Sequence, residues 1–471
     1  MTTECTQAEF AFHHLGGRLV TGRFDGGRIT TDAGGLLLRE VEKRRGIVAG
    51  FARCFRDYRH PAFIEHTLEA LVAQRVYGLA LGYEDLNDHD RLREDPLMAI
   101  LAENPDVTGQ DRACARDEGK ALAGKSTLNR LELTAATVAE GERYKKIALD
   151  EGAVDRLLVD VFLASHDEPP SQIVLDLDST DDPLHGRQEG RFFHGYYGNY
   201  CYLPLYVFAG EALLAARLRV SNIDAASGSV EELERIVGRI REAWPEVRIC
   251  VRADSGFCRE EIMAWCESRG VDYVLGLAKN DRLKAEIATE LEQARAEYEQ
   301  TGQPARVFKE FFYQTRTSWS QSRRVVAKAE HLGKGANPRF VVTSYSSEQW
   351  EARGLYEELY CARGEMENRI KEQLMLFADR TSTAWMRSNQ IRLYFSSIAY
   401  LLVEALRRMA LAGTELARAQ VATIRLKVLK IGALVRVTTR RVWVSMASGH
   451  PYAELFARVL DRLEHEPVLR C

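Results

Sequence analysis

Three acidic residues have the types and surroundings that metal-dependent chemistry uses. Asp178 stands in IVLDLDST and Asp254 in ICVRADSGF, so both follow β-branched apolar runs that predict buried strands. A carboxylate on or at the end of a buried strand is costly unless it binds a cation or a partner. Glu367 stands in YCARGEMENRIKE, which predicts a helix. The three together predict a site where carboxylates converge on a metal ion.

The helix around Glu367 has further polar groups at helical spacing. Tyr360, Arg363, Glu367 and Lys371 follow one another at steps of three, four and four residues, which places them on one helix face. That face would present a phenol, a guanidinium, a carboxylate and an ammonium, a set suited to phosphate and metal. A single strand-end Asp often only caps a turn, and many helices carry Arg and Glu one turn apart. The prediction therefore depends on the ordered set.

Long segments around these motifs carry a family resemblance. They are DLDSTDDPLHGRQEGRFFHGYYGNYCYLPLYVF, VRADSGFCREEIMAWCESRGVDYVLGLAKN, YCARGEMENRIKEQLMLFADRTSTAWMRSNQIRLYFSSIAYLL and, nearer the N-terminus, ITTDAGGLLLRE and KSTLNRLE. The chain resembles the DDE transposases of bacterial insertion sequences, in the group 1 DDE domain with an insertion before the last Glu. The resemblance implies an α/β fold, with an RNase H-like (retroviral integrase-like) catalytic core, a β-rich insertion, a helical N-terminal region and a small C-terminal unit.

The resemblance also implies roles for the three acids. Asp178, Asp254 and Glu367 match the catalytic carboxylates, which in the family hold two Mg²⁺ (or Mn²⁺) ions. Asp176 is the alternative for the first position, because it lies two residues from Asp178 and so points to the same strand face. Position within the motif favours Asp178, which is followed by Ser and Thr.

The third motif of the family is Tyr-x2-Arg-x3-Glu-x6-Lys. Tyr360 and Arg363 match the pair that contacts phosphate, whereas the position of the distal Lys is occupied by Leu374. Lys371, one turn after the Glu, is the alternative. The implied function is a transposase that cleaves phosphodiester bonds at element ends and joins the freed 3′-OH to target DNA. Its partners would be double-stranded DNA, as terminal inverted repeats and target, and a second copy of the chain in a synaptic complex.

Two other functions compete with this hypothesis. One is a DNA-binding relative that no longer cuts, which the presence of all three acids and Arg363 disfavours. The other is a P-loop nucleotidase, because GKALAGKS at Gly119–Ser126 fits the pattern G-x4-G-K-S. A P-loop follows a buried strand, and the preceding DRACARDE is charged. We therefore expect no nucleotide cofactor.

Composition fits a globular protein of two to four domains. The chain has 471 residues, 46% of them apolar, and a formal net charge of −4. Nine cysteines without a Cys-x2-Cys pair fit neither a disulfide framework nor a zinc site. The start, MTTECTQAEFAFHHLGG, has no apolar signal core, and no run of 18 apolar residues predicts a membrane span. A cytoplasmic, nucleoid-associated protein is expected.

Basic residues are clustered despite the net negative charge. Residues 421–441 hold six Lys or Arg and no Asp or Glu, and a second cluster around Trp319 includes Arg323 and Arg324. Basic patches suit a phosphate backbone, although a solvated basic face is an ordinary alternative. In relatives the insertion carries a Trp that stacks on a flipped base, and Trp319 is the candidate here, unless it covers the core of a sheet.

The order of elements predicts five regions. In the helical N-terminal region, Asp32 is expected to cap a helix ending at Gly46, another helix ends at Gly82, and Ser126 or Thr127 starts a third. The regions are a helical DNA-end-binding region at 1–168, the core at 169–282 and 351–412, the β-rich insertion at 283–350 and a DNA-contact or dimerisation unit at 413–471.

Overall fold

The computed structural model of the chain describes residues 9–139 and 141–468. The chain forms two compact units, one made of Met1–Asp150 with Ile398–Arg470 and the other of Glu151–Ser397. Residues 1–8, where the segment predicted to lack a signal core begins, lie outside the described part, as do Cys5 and Cys471. Within the described ranges, no helix is long and apolar enough to cross a membrane.

The N-terminal part of the first unit is mainly helical, as predicted, and opens with an exposed β-hairpin that the sequence did not reveal. Its elements are β1 Phe10–Leu15, β2 Arg18–Gly22, β3 Ile29–Thr30, α1 Gly35–Arg45, α2 Ile47–Arg53, β4 Phe55–Asp57, α3 Leu68–Leu81, α4 His89–Leu92, α5 Pro96–Leu101, α6 Lys125–Leu133 and β5 Ile147–Leu149. Helix α3 ends at Gly82, whose φ of 97° suits glycine.

The start of α1 differs from the prediction, although its end at Gly46 is confirmed. The N-cap residue is Gly34, not Asp32. Asp32 is buried and accepts from Lys430 Nζ at 2.6 Å and from the Tyr83 hydroxyl at 2.6 Å. A buried carboxylate needs partners that compensate its charge. Asp32 finds them in distant parts of this unit and does not cap the helix.

The second unit contains the segments that carry the acidic motifs. Its elements are α7 Glu151–Leu163, β6 Gln172–Ser179, β7 Asp182–Pro183, β8 Phe192–His194, β9 Asn199–Tyr202, β10 Leu205–Ala209, β11 Ala212–Arg217, α8 Ser229–Ala243, β12 Arg248–Ala253, α9 Glu260–Arg269, β13 Asp272–Leu277, α10 Asp281–Glu286, α11 Ala288–Thr301, β14 Ala305–Tyr313, β15 Arg323–Leu332, β16 Gly335–Ala336, β17 Arg339–Thr343, α12 Ala352–Gly354, α13 Gly364–Leu374 and the first part of α14 Met386–Leu406. The sequence CYLPLYVFAGEALLAARLRVSN predicts a hairpin that turns at Gly210, and SVEELERIVGRIREAW predicts an amphipathic helix. Both are present, the helix as α8.

A nine-stranded mixed sheet is the centre of this unit. Its order is β11-β10-β6-β12-β13-β17-β15-β14, with β16 beside β15. Strands β6, β12 and β13 are parallel, and the other pairs are antiparallel. Strands β14 to β17, which lie within the predicted β-rich insertion at 283–350, extend this sheet and do not form one of their own. Alternate apolar positions of the central strands belong to two core clusters, so both faces of the sheet are covered there.

Strand β6 shows how the sheet separates apolar from acidic residues. Ile173, Leu175 and Leu177 belong to the apolar core, which also contains residues of α8 and α9. Alternation along a strand sends Asp176 and Asp178 to the opposite face. Because side chains alternate along the strand, one face of β6 is apolar and the other face carries both carboxylates.

The C-terminal part of the first unit packs with its N-terminal part. Its elements are α15 Val421–Ile424, β18 Ala433–Val437, β19 Val442–Met446 and α16 Ala453–His465, and β3, β18 and β19 form one antiparallel sheet. Two cations of the predicted basic cluster have structural partners: Lys430 binds Asp32, and Arg425 Nε donates to the Ala80 carbonyl at 3.0 Å. Arg436, Arg440 and Arg441 are exposed.

Candidate active site

The parallel pairing of β6 with β12 brings the first two acids together. In this ladder Ala253 is the partner of Leu177, so Asp254, the next residue, lies beside Asp178. Asp254 Oδ1 also accepts from the Gly256 amide at 2.8 Å and caps a short 3-10 turn. One oxygen of Asp254 thus has a local role, and the same carboxylate contributes charge beside Asp178.

The Asp178 carboxylate is nearly buried, with 16% of its side chain exposed. Oδ1 accepts from the Ser179 amide at 2.9 Å, and Oδ2 accepts from Arg363 Nη1 at 3.0 Å. Burial raises the pKa of Asp178 to about 6; Arg363 opposes this rise, and the charge of Asp254 adds to it. Burial therefore disfavours the ionised form of Asp178 more than Arg363 favours it.

Asp176, the alternative for the first position, is fully engaged by another cation. Arg252 donates to both of its oxygens, with Nε to Oδ1 at 2.6 Å and Nη2 to Oδ2 at 2.7 Å. Arg252 Nη1 also donates to the carbonyl of Leu359. This buried pair joins two neighbouring strands to the helical segment that leads to Glu367, so its evident role is to position that segment.

The spacing of the third motif predicted one regular helix, but the helix type changes along it. A π-helical turn ends at Tyr360, a 3-10 turn ends at Arg363, and α13 begins at Gly364. Arg363 Nη2 still lies 3.6 Å from Glu367 Oε1, one turn later. The side chain of Glu367 is 55% exposed, and Lys371 is exposed one turn further along α13.

Tyr360 packs against the strand next to Asp254. A Cβ placed on Gly276 of β13 would lie 2.5 Å from Tyr360 Oη and 2.9 Å from the Ser255 amide nitrogen. Because glycine has no side chain, Gly276 leaves space for the phenol of Tyr360. Burial raises the pKa of Tyr360, Arg363 lowers it and Asp254 raises it, so the neutral phenol is retained as a hydrogen-bond donor.

Arg363 is the centre of this constellation because it contacts both Asp178 and Glu367. Among the residues that the structure describes, no three His, Cys, Asp or Glu side chains are placed together closely enough to hold a metal ion. The guanidinium is thus the countercharge between the first and third acids in this conformation. Glu367 is exposed, so packing does not fix its rotamer.

Trp319 is part of the apolar core, which is the alternative in which it covers the core of a sheet. It is 6% exposed, and its ring meets that of Tyr313 edge to face with centroids 5.7 Å apart. Arg323 lies over the same indole and binds Glu260 and Glu267, each at 2.6 Å. The Arg323 guanidinium is therefore buried between two carboxylates of the same unit and is used internally.

Arg324, the other cation predicted to bind DNA, is also used internally. Its guanidinium is 7% exposed and donates to Glu310 and to the Tyr345 and Trp350 carbonyls. Arg323 and Arg324, which the sequence predicted to lie in a basic patch, are the first two residues of β15. A buried guanidinium takes part in folding only when its donors are satisfied, as they are here.

Tyr197, in the loop between β8 and β9, is a site residue that sequence reasoning missed. Burial raises its pKa to about 12, with further contributions from the charges of Asp181, Asp178 and Asp254. Its phenol therefore lies within the field of the carboxylate pair. The aromatic run RFFHGYYGNYCY was the available signal, but nothing in its spacing distinguished Tyr197 from its neighbours.

The P-loop lookalike lies in the first unit and lacks the required surroundings. A 3-10 turn at Ala115–Asp117, not a strand, precedes it. Helix α6 begins at Lys125 with Gly124 as N-cap residue, so neither Ser126 nor Thr127 caps it. The Lys125 amide donates to Asp90 Oδ1 at 3.1 Å, and its ammonium lies 3.3 Å from Asp90 Oδ2. A protein carboxylate thus occupies the groups that would bind a nucleotide phosphate.

Comparisons with known proteins complete the description of the site. No curated protein sequence matches the chain. A cryo-EM structure of the piggyBac transposase synaptic complex with hairpin DNA is similar with a TM-score of 0.40 and 9% sequence identity, over 94% of this chain and 84% of that chain. Residues 12–468 match the family described as transposase DDE domain group 1. The chain with this carboxylate and arginine constellation therefore belongs to the DDE group 1 transposase family.

Proposed function

We propose that this transposase cleaves phosphodiester bonds at the ends of a mobile element and joins the freed 3′-OH to target DNA. The observation that carries the proposal is the pairing of Asp178 with Asp254 on neighbouring parallel strands, with Arg363 bound to Asp178 and Glu367. The order β11-β10-β6-β12-β13, with the last three strands parallel, supports an RNase H-like core, in which carboxylates gather at the ends of central strands.

The donor set fits divalent magnesium or manganese. Asp178, Asp254 and Glu367 would supply only hard carboxylate oxygens, which these cations prefer. The raised pKa of Asp178, caused by burial and by Asp254 against the attraction of Arg363, reflects negative charge that a cation would relieve. Two bound ions would supply an activated water and charge stabilisation at the leaving 3′ oxygen.

Arg363 and Tyr360 are proposed to bind and orient the scissile phosphate. A guanidinium offers several donors in a fixed fork, so it can hold a carboxylate and a phosphate oxygen together. The phenol of Tyr360 is neutral and lies beside Asp254, so it would add one hydrogen bond from the other side. Lys371 is proposed to contact the DNA backbone next to Glu367. Asp176 would act indirectly, by fixing Arg252 and the Leu359 segment.

The partners follow from this chemistry. The substrates would be double-stranded DNA as terminal inverted repeats and as target, and joining two ends requires that two active sites meet, which favours a homodimer in the synaptic complex. We further propose that the element is a bacterial insertion sequence and that the protein acts on DNA in the cytoplasm, at the nucleoid.

The test is cleavage of labelled DNA that carries the inverted repeats flanking the reading frame. Asp254→Asn and Glu367→Gln should each lose about a thousandfold or more in nicking rate with Mg²⁺ or Mn²⁺, because a lost ligand removes several kcal/mol of transition-state stabilisation. DNA binding measured without divalent cations should be retained.

Matched controls are available on an exposed part of the second unit. Asp281→Asn and Glu292→Gln make the same chemical changes at exposed side chains of α10 and α11, and should leave nicking unchanged. Near-normal nicking by Asp254→Asn or Glu367→Gln would refute the assignment.

A further inference from the structure

A cavity of about 620 Å³ in the first unit is lined mainly by charged side chains. Its lining comes from the segment before α3, from α4 and the residue after it, from the loop before α6 and from α6, all within this unit. Pockets of this size accept small polar groups or part of a larger ligand. The catalytic carboxylates belong to the other unit, so this cavity is a separate feature.

Cations outnumber carboxylates in the lining. Three carboxylates, from Glu65, Asp90 and Asp117, face seven cations; Asp57, outside the lining, pairs with one of these, which leaves an excess of three positive charges. The seven are Arg59, Arg93, Arg112, Arg116, Lys120, Lys125 and Arg130.

The distribution of ion pairs concentrates this excess on one side. Asp117 alone is shared by Arg93, Arg116 and Lys120, at 3.5, 3.4 and 3.7 Å. Arg130 forms no ion pair with a carboxylate of the described residues and lies over the ring of Tyr144. One carboxylate cannot neutralise three cations, so this side of the cavity has a positive potential.

His66 provides a second sign of that potential. It is buried, and its Nε2 accepts from Arg112 Nη1 at 2.8 Å, which requires the neutral ring. Burial lowers the pKa of His66 to about 4, and the charges of Arg112, Arg59 and Arg93 contribute to the lowering. The neutral ring leaves the positive charges of Arg112, Arg59 and Arg93 beside it, and these charges oppose its protonation.

We propose that this cavity binds backbone phosphates of DNA other than the phosphate that is cut. The inference rests on the proposed function and deepens it, because it assigns a DNA contact to named residues of the N-terminal region. Arg116, Lys120 and Arg130 are the phosphate contacts. The exposed ring of Phe63 at the rim offers an apolar surface for a sugar or base beside them.

A DNA backbone suits this lining better than a free nucleotide does. A nucleotide site gathers backbone amides and a lysine around a compact polyphosphate. Here Lys125 and the amide that begins α6 are already bound to Asp90. The side chains that remain are arginines and a lysine, which suit the phosphates of a DNA backbone, where the gain comes from releasing counterions.

The experiment measures DNA binding in EDTA, so it does not depend on cleavage. The triple variant Arg116→Gln, Lys120→Gln and Arg130→Gln should bind element-end DNA about tenfold or more weakly at 150 mM salt, and the slope of log K against log salt should fall by about two to three. A single Arg116→Gln, at a side chain that is 84% exposed, keeps the test valid if the triple variant does not fold; its slope should fall by about one.

The matched control removes three exposed cations from an acid-rich part of the second unit, by Lys284→Gln, Arg295→Gln and Lys334→Gln. It should keep the slope and affinity of the unchanged protein. Equal binding by the cavity variants and this control overturns the proposal, as does an unchanged protein that binds no DNA. ATP binding lost in the triple variant while DNA binding persists overturns it in favour of a free nucleotide. Failure of the proposed function is separate: it would appear as cleavage that does not need Asp254 or Glu367.

Discussion

Replacing the two neighbouring aspartates of β6 by asparagine is expected to change stability in opposite directions. Asp178 is a buried carboxylate with incomplete compensation, whereas Asp176 is bound at both oxygens by Arg252. The substitution keeps the size of the side chain and removes its charge. The sign of the change in the free energy of unfolding therefore reports which carboxylate stabilises the fold.

The magnitudes follow from the environments. One pKa unit corresponds to about 1.4 kcal/mol, so a carboxyl whose pKa rises from 3.8 to about 6 makes the folded state about 3 kcal/mol less stable at neutral pH. Asp178→Asn should recover about 1–3 kcal/mol of this, because Arg363 loses an anionic partner. Asp176→Asn leaves the Arg252 guanidinium buried without its counterion and should cost about 3–5 kcal/mol.

The effect of Asp178→Asn should depend on pH. Between pH 4 and 6 the folded protein keeps a proton on Asp178 that the unfolded chain has released, so the folded state loses stability as the pH rises through this window. The asparagine variant lacks that loss. Its advantage should be close to zero near pH 4 and complete above pH 6.

The assay is denaturant unfolding in EDTA at several pH values, together with nicking of element-end DNA in Mg²⁺. Asp178→Asn should be stabilised and inactive. Asp176→Asn should be destabilised, and any loss of activity should follow its folded fraction. A destabilised Asp178→Asn at pH 7, or an Asp176→Asn as stable as the unchanged protein, would show that the roles of the two residues have been reversed.

Two further substitutions probe the packing around the site. Trp319→Ala should cost about 3–5 kcal/mol in the free energy of unfolding but leave the DNA affinity of the folded protein unchanged, measured by denaturant unfolding and by titration with labelled DNA; weaker binding at intact stability would restore the DNA-contact reading. Gly276→Ala should displace the phenol of Tyr360 and lower the nicking rate about tenfold or more, with Gly238→Ala, where an added Cβ meets nothing within 4 Å, as control. Equal nicking by both variants would show that the position of Tyr360 is unimportant.

Much of the fold was predictable because the local patterns agree with the tertiary structure. The alternation along β6, the turn at Gly210 and the helix stop at Gly82 are local signals, and each is confirmed. The hairpin Phe10–Gly22 was not predicted, since its exposed strands bury no face that would produce a clear pattern. The same locality explains the wrong N-cap at Asp32, whose partners are distant in sequence.

The sequence predicted which residues belong to the candidate site better than it predicted the contacts between them. The spacing of Tyr360, Arg363 and Glu367 gave the right neighbours, but nothing in it revealed the change of helix type between them. Arg252 and Asp176 occur in ordinary strand sequences, and only parallel pairing makes them partners. The burial of Arg323 and Arg324 was not predictable either. Charged residues are usually exposed, but these two are buried beside acidic residues that come from other elements.

The discontinuity of the first unit limits how the chain can be shortened. Strand β3, near residue 30, pairs with β18, near residue 435, so neither terminal segment has a complete sheet or core without the other. A fragment that stops before residue 413 would contain β3 without its partner β18. A fragment that starts after residue 150 would contain β18 without β3. Truncation at either point would thus destabilise what remains, so activities are better assigned to the two segments by substitutions that leave both of them in the chain.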